Sequence, residues 1–320
     1  MMDALPPMGP WIGVAPGIPG RLVRQGQVSV HQFTQQVVSG IASGSLFAIL
    51  ALSLVMIYRS TSVLNFAQGE MALFSTFIAW SFLTTMDFWP AFVLSLVVAA
   101  FMGAALERFV LRPVEEAPVL NAVIVTLGLF TVFSGLSLTV WGSLPKGFGP
   151  FSVFKGPAVD LGWASIGRAN LGTLATAVII TALLFLLFQR TKLGLAMRAV
   201  AQNRVASRLV GIRVGQILSI GWGLASALGA VAGILVAQVS GLSLSLMFNV
   251  LLFAFAAAVL GGLDSPVGAI VGGLAIGIIK NLAGTYIDPS VDVTVAFLVI
   301  VLVLMIRPTG IFGQHVLKRV

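Results

Sequence analysis

This 320-residue chain contains no cysteine and only two histidines, and charged residues make up just 9% of it. The missing thiols exclude disulfides, thiolate metal sites and a cysteine nucleophile. His31 and His315 lie near opposite ends of the chain, outside every apolar segment. A histidine-centred metal site or catalytic triad therefore has almost nothing to build on, and no metal ligand set stands out. No GxxxxGK[S/T] run occurs, so if ATP powers the protein, the ATPase must be a separate chain. An intramembrane enzyme is the least favoured class.

What the chain has instead is apolar bulk. Hydrophobic residues make up 58% of it, against roughly 45–50% in a soluble domain. A bilayer core about 30 Å thick needs about 20 apolar helical residues to cross it. Such stretches recur near 36–57, 67–85, 89–107, 119–141, 170–188, 216–238, 249–263, 266–284 and 291–306. A membrane β-barrel would show alternating strands of roughly 10 residues and no continuous apolar runs. The pattern predicts an all-α polytopic membrane protein with about 8–10 transmembrane helices. Only "LDSP" (Leu263–Pro266) separates the seventh and eighth stretches. They read either as two short spans or as a broken, partly re-entrant hairpin.

Residues 1–35, including "PPMGPWIGVAPGIPG", are rich in proline and glycine and read as a flexible extension. Arg21 and Arg24 come too late for a cleaved signal peptide, which sets its basic region before the apolar stretch. The apolar body covers 36–314, with 315–320 as a tail.

The formal net charge is +8, but the basic residues fall between apolar segments rather than on a soluble domain. Topology and anionic lipid account for them better than nucleic acid does. With nine spans and the 189–215 loop inside, twelve Lys and Arg fall on the cytoplasmic side. These are Arg59, Arg108, Arg112, six in the loop, Arg307, Lys318 and Arg319. Arg21, Arg24, Lys146, Lys155 and Arg168 fall outside. That bias predicts an external N-terminus and a cytoplasmic C-terminus, with 142–169 as the largest external segment.

The six basic residues of that loop are a third of the 18 in the chain, packed into "QRTKLGLAMRAVAQNRVASRLVGIRV" without one acid. Arg190 and Lys192 suffice to fix topology, yet the stretch continues with a pattern of its own. Leu195, Val200, Val205, Leu209 and Ile212 are interspersed with polar positions, and Gly194 and Gly211 bracket them. Arg198/Gln202 and Arg204/Arg208 are helical neighbours at four-residue spacing. The segment reads as one or two short amphipathic helices lying on the membrane or on a cytoplasmic partner.

Glycine numbers 35, and pairs such as Gly229/Gly233 and Gly268/Gly272 put small residues on one helix face. Close helix packing explains them; glycines flanking broken helices around a transport path, Gly261 and Gly262 included, are the second reading. Glu70, in "VLNFAQGEMALF", is either an acid favourably placed at a helix start or a functional intramembrane charge. Asn65 can cap that helix. Asp264 reads as turn or cap chemistry, and Lys280 can snorkel towards Asp288 or Asp292.

In order along the chain, "GIASGSLFAILALSLVMIYRSTSVLNFAQGEMALFSTFIA", "LGLAMRAVAQNRVASRLVGI", "FAAAVLGGLDSPVGAIVGGLAIGI" and "RPTGIFG" resemble the LivH-type permeases of branched-chain amino-acid ABC transporters. The resemblance runs from about residue 36 to 314. It implies an ABC importer permease fold in the bacterial inner membrane, with a cytoplasmic coupling helix. Implied partners are a second homologous permease or another copy, two cytoplasmic ATPases that bind Mg–ATP, and a periplasmic substrate-binding protein. The chain itself would hold no cofactor. Gly194, Arg198, Ala199, Asn203, Ala206 and Gly211 match the family's coupling segment. Its NFA-x-GE motif maps onto Asn65, Phe66, Ala67, Gly69 and Glu70, with Gln68 at the variable position. Asn65, Gln68, Glu70, Gly261 and Gly262 are thus the translocation-pathway candidates. Many members carry an acid near Lys280, and here the family pattern breaks. The same machinery carrying urea, a short amide or another small solute is the close alternative; an autonomous carrier or channel is the distant one.

Overall fold

A computed structural model describes residues 30–61, 63–115, 117–148, 156–160 and 165–313. Most of the N-terminal extension and the tail after Gly313 lie outside the described residues, as do Arg21, Arg24, Lys155, Lys318 and Arg319.

Apolar runs of this length leave the backbone no hydrogen-bonding partner but itself, which makes helices the default inside lipid. Among the described residues there are eleven: α1 (Val30–Thr61), α2 (Gln68–Leu83), α3 (Phe88–Leu106), α4 (Val119–Trp141), α5 (Arg168–Arg190), α6 (Lys192–Gln202), α7 (Arg204–Leu209), α8 (Val214–Ser240), α9 (Leu246–Gly261), α10 (Pro266–Tyr286) and α11 (Asp292–Ile306). α1 begins at Val30, ahead of the expected boundary at 36, because Gln35 is held by tertiary contacts. Its side-chain amide donates to Ser165 O and accepts from Ser165 N, both at 2.8 Å. Ser165 belongs to a two-residue hairpin, β1 (Val159–Asp160) with β2 (Ser165–Ile166).

Among the described residues, seven helical segments are long and apolar enough to cross a membrane. The expected stretches at 67–85 and 249–263 instead form α2 and α9, of 16 residues each. At 1.5 Å per residue each spans about 24 Å, short of the roughly 30 Å hydrocarbon core. Residues Val63–Phe66 run non-helically into α2, and Gly262, at φ +105°, ends α9 where a side chain would be strained.

Burial sorts the bundle into centre and rim. The most apolar windows of α1 and α8 are each 83% buried, against 6% for α11. α3, α4, α5 and α11 turn Val97, Phe101, Ile124, Leu183 and Leu302 outwards, an apolar surface suited to lipid. α1 and α10 meet most closely. A Cβ on Gly44 would lie 2.7 Å from Gly273 O, and one on Gly277 would lie 2.3 Å from Gly40 O. Two four-residue glycine steps thus interlock, the geometry that lets backbones touch in lipid. The pair Gly229/Gly233 does the same against α2, and Gly268/Gly272 against α9.

The two ends of the bundle differ. One carries Thr61, α6, α7, the α9–α10 turn and Arg307–Gly313. The last of these folds back, with Ile311 N donating to Leu260 O (2.9 Å) and Phe312 N to Gly261 O (3.0 Å). In the turn it is Ser265, not Asp264, that caps α10, accepting from Gly268 N at 3.0 Å. The opposite end carries the loop after α4. There Lys146 pairs with Leu242 in an antiparallel bridge, its ammonium lies 4.8 Å from the Trp80 ring centroid, and Trp80 Nε1 donates to Gly147 O.

Candidate functional site

The basic connector forms two helices, and local chemistry explains the joints. Thr191 ends α5 and caps α6, its hydroxyl accepting from Gly194 N at 3.0 Å. A Cβ at Gly194 would sit 2.2 Å from Leu187 O, so the sharp α5–α6 corner requires glycine. Asn203 divides α6 from α7: its backbone N–H donates to Ala199 O and its side chain accepts from Ala206 N at 2.9 Å. One residue so closes one helix and opens the next. Gly211, at φ +85°, closes α7, with Ile212 N reaching back to Ser207 O at 2.9 Å.

The coupling candidates divide by face. Gly194 is buried and Ala199 half-buried; Asn203, Ala206 and Gly211 are exposed. Arg198 turns inward, donating to Gln189 Oε1 at 3.3 Å in a cleft it shares with Arg59, Met197 and Pro266. The outward surface mixes polar residues, Lys192, Gln202 and Arg208, with large apolar ones, Leu195, Val205, Val210 and Leu209, the last 84% exposed.

Sequence reasoning missed the residue that ties this connector to the bundle. Arg204 pairs with the Glu115 carboxylate and donates to Ser60 O at 2.5 Å, joining α7 to the ends of α1 and of the α3 segment. Beside it lies a second clasp. α3 continues as a π turn, Glu107–Leu111, a local widening that often marks functional positions. Glu107, 2% exposed, accepts from Arg112 Nη2 (2.7 Å) and Nε (3.2 Å) and from the Ser219 hydroxyl. Arg112 also donates to Gly215 O at 2.6 Å, where a Cβ would lie 2.9 Å from the guanidinium carbon. In sequence these arginines read as topology signals or as part of an amphipathic pattern; apart from Glu107, five residues before Arg112, their partners lie 89 to 144 residues away, beyond any local pattern.

The pathway candidates sit in two places. Asn65 Oδ1 accepts from Ala67 N at 3.0 Å and its amide donates to Gln68 Oε1 at 3.1 Å; Gln68 Nε2 donates to Ala225 O at 3.0 Å. Asn65 thus braces the turn before α2 rather than capping that helix, whose N-cap is Ala67. Both amides are buried and tie α2 to α8. Ala225 lies about 16 Å along α8 from its first residue, so α2 starts deep in the bundle rather than at an interface. Glu70, 5% exposed, is carried in with it and leaves Oε2 without a hydrogen-bond partner. Gly261 and Gly262 pack backbone on backbone: a Cβ at Gly261 would lie 1.9 Å from Gly268 O, and one at Gly262 2.7 Å from Gly313 N.

A cavity of about 540 Å³ opens at the end opposite the connector. Lys280 and Asp292 stand in its wall as an ion pair, 2.7 Å apart. Asp288 is occupied elsewhere: the Ser290 hydroxyl (2.5 Å) and backbone N–H (2.8 Å) donate to it and hold its carboxyl below the usual range.

A multi-pass helical membrane protein with a capped, basic connector at one end and a cavity lined by both polar and apolar groups at the other has the layout of a transport permease. The comparisons agree. The family described as "Branched-chain amino acid transport system / permease component" matches residues 36–306, and the chain belongs to it. It is 29% identical over 304 residues to the high-affinity branched-chain amino acid transport system permease protein LivH of Escherichia coli K12, covering 90% of this chain and 98% of that one. It is 28% identical over 307 residues to BraD, the corresponding permease protein of Pseudomonas aeruginosa, covering 91% and 99%. The ribose import permease protein RbsC of Escherichia coli K12 is 28% identical over 249 residues, 74% of each chain. The chain is a permease component rather than an enzyme.

Proposed function

We propose that this chain is the transmembrane subunit of an ATP-driven importer of branched-chain or other hydrophobic amino acids. A periplasmic binding protein delivers the solute to the end that carries the cavity. Two separate ATPases engage α6 and α7 at the other end, and a second permease, a homologue or another copy, completes the assembly. Mg–ATP belongs to the ATPases. The observation that supports this most is the connector: an exposed apolar face on α7 backed by the Arg204 tie to α1 and Glu115.

Closure of the ATPases on ATP would displace α7, and the Arg204 tie and the tight Gly194 corner would pass that displacement to α1, α3 and α5. The bundle then exchanges an outward-open for an inward-open arrangement, which requires each ligand to favour one of the two. Gly194, Arg198, Ala199, Asn203, Ala206 and Gly211 form the coupling segment, with Asn203 and Ala206 on its outer face. Along the pathway, Asn65, Gln68, Gly261 and Gly262 hold the two short helices in place, and Glu70 is the pathway charge. With α2 and α9 completing their crossings, nine spans put the N-terminus outside and the C-terminus in the cytoplasm.

Leucine uptake by the reconstituted complex tests this reading: uptake should require nucleotide. Full-rate movement through this polypeptide alone, without ATPases, would defeat it. For sidedness, Gly147→Cys should react with an impermeant thiol reagent from outside and Arg208→Cys should not. The likeness to a ribose permease favours a second reading, the same machinery with another small solute, which competition by ribose would reveal.

A further inference from the structure

The cavity at the outer end is more than a gap between helices. Its volume, about 540 Å³, falls within the roughly 300–1,000 Å³ typical of small-molecule sites. α1, α5, α8, α9, α10 and α11 all contribute to its wall. Its apolar lining includes Phe47 and Phe253, whose rings stack with centroids 4.9 Å apart. Its polar lining includes Asn170, Asn249 and the Lys280–Asp292 pair.

That pair is not sealed. Lys280 and Asp292 side chains are 24% and 29% exposed, and both residues line the cavity. An ammonium has three donors and a carboxylate accepts through two oxygens, so one contact at 2.7 Å leaves capacity on both partners. The Lys280 ammonium also sits 5.5 Å from the Phe253 ring centroid, which places the charge beside the apolar lining. Gly284, one helical turn beyond Lys280, lets the Asp292 carboxylate lie against α10: a Cβ there would come within 3.0 Å of Oδ1. A cation, an anion and a flat apolar wall thus converge on one space. The ligand complementary to that set carries a carboxylate, an ammonium and a hydrocarbon side chain.

Resting on the amino-acid import reading, we propose that the Lys280–Asp292 pair is a subsite for a zwitterionic amino acid. Lys280 receives the carboxylate, Asp292 the ammonium, and Phe253 with Phe47 the apolar side chain. A pair serving only to hold α10 to α11 would be indifferent to solute.

The absence of native cysteine makes the test direct. Ser243→Cys places a single thiol in the cavity wall of the full chain, assembled in its complex in membranes. Its alkylation by an impermeant thiol reagent is followed with L-leucine, with 4-methylpentanoate (carboxylate only), with 3-methylbutylamine (ammonium only) and with ribose. Leucine should protect best and each single-charge analogue less. Lys280→Gln should weaken leucine protection about tenfold to hundredfold, the loss of one charge-assisted hydrogen bond. It should leave protection by the amine unchanged; Asp292→Asn should do the reverse, and Lys280→Arg should restore leucine protection. Equal protection in Lys280→Gln, or protection by ribose rather than leucine, overturns the proposal. Absent protection alongside intact ATP-driven leucine uptake removes the subsite and leaves the import reading standing. Protection that persists while uptake proves independent of ATPases does the opposite.

Discussion

The two ends of the bundle use charge in opposite ways. At the connector end, Arg112 and Arg204 each reach both a carboxylate and a backbone carbonyl, linking helices distant in sequence. At the cavity end, Lys280 and Asp292 make one contact and remain half-open beside a large space. Multiply bonded charges make ties that carry displacement; singly bonded ones leave capacity for a guest. The bundle is stiff where a partner would push and receptive where a solute would arrive.

The comparison can be broken most completely at the connector. Deleting residues 196–206 should abolish co-purification of the ATPases while the chain still inserts in the membrane; normal leucine transport by such a deletion would sink the docking role. Next in size is Glu107→Ala, which takes the carboxylate from Arg112 and leaves it Gly215 O and the Ser219 hydroxyl. Losing the charge-assisted hydrogen bonds costs about 1.5–3 kcal/mol, measurable as a lower midpoint in denaturant titration of the detergent-solubilised chain. Glu107→Gln, which still accepts from Arg112, should lose less. Arg204→Met should leave ATP hydrolysis running while uptake falls about tenfold, equivalent to about 1.4 kcal/mol of coupling. Arg208→Met, on the exposed face of α7, is the contrasting variant and should keep the two rates in proportion. The smallest effect is local: Asn203→Ala removes a cap worth about 1 kcal/mol and should speed hydrogen exchange at residues 204–209. Asn203→Asp should not.

Much of the connector was legible. Gly194 and Gly211 bracketed it in sequence, and both act through neighbours within seven residues; Thr191 and Asn203 also cap through near neighbours, but they were not singled out as caps. Glycine pairs at four-residue spacing likewise announced close packing. Their partners were not readable, because Gly40 and Gly44 meet Gly277 and Gly273 some 230 residues later. Asn65 and Gln68, polar residues beside an apolar run, had the look of pathway groups; their hydrogen bonds go to each other and to α8. Lys280 was expected to reach Asp288 or Asp292, and only the fold, with Ser290 engaging the nearer acid, chose Asp292.

Composition and periodicity alone determined that this chain is helical, lipid-embedded and equipped with a basic connector, since each follows from hydropathy or from contacts a few residues apart. Which carboxylate Arg204 holds, how far α2 starts inside the bundle, and where a cavity opens were decided by tertiary packing. Those outcomes depend on distances between helices, and one helix's sequence carries no record of the neighbour it will meet.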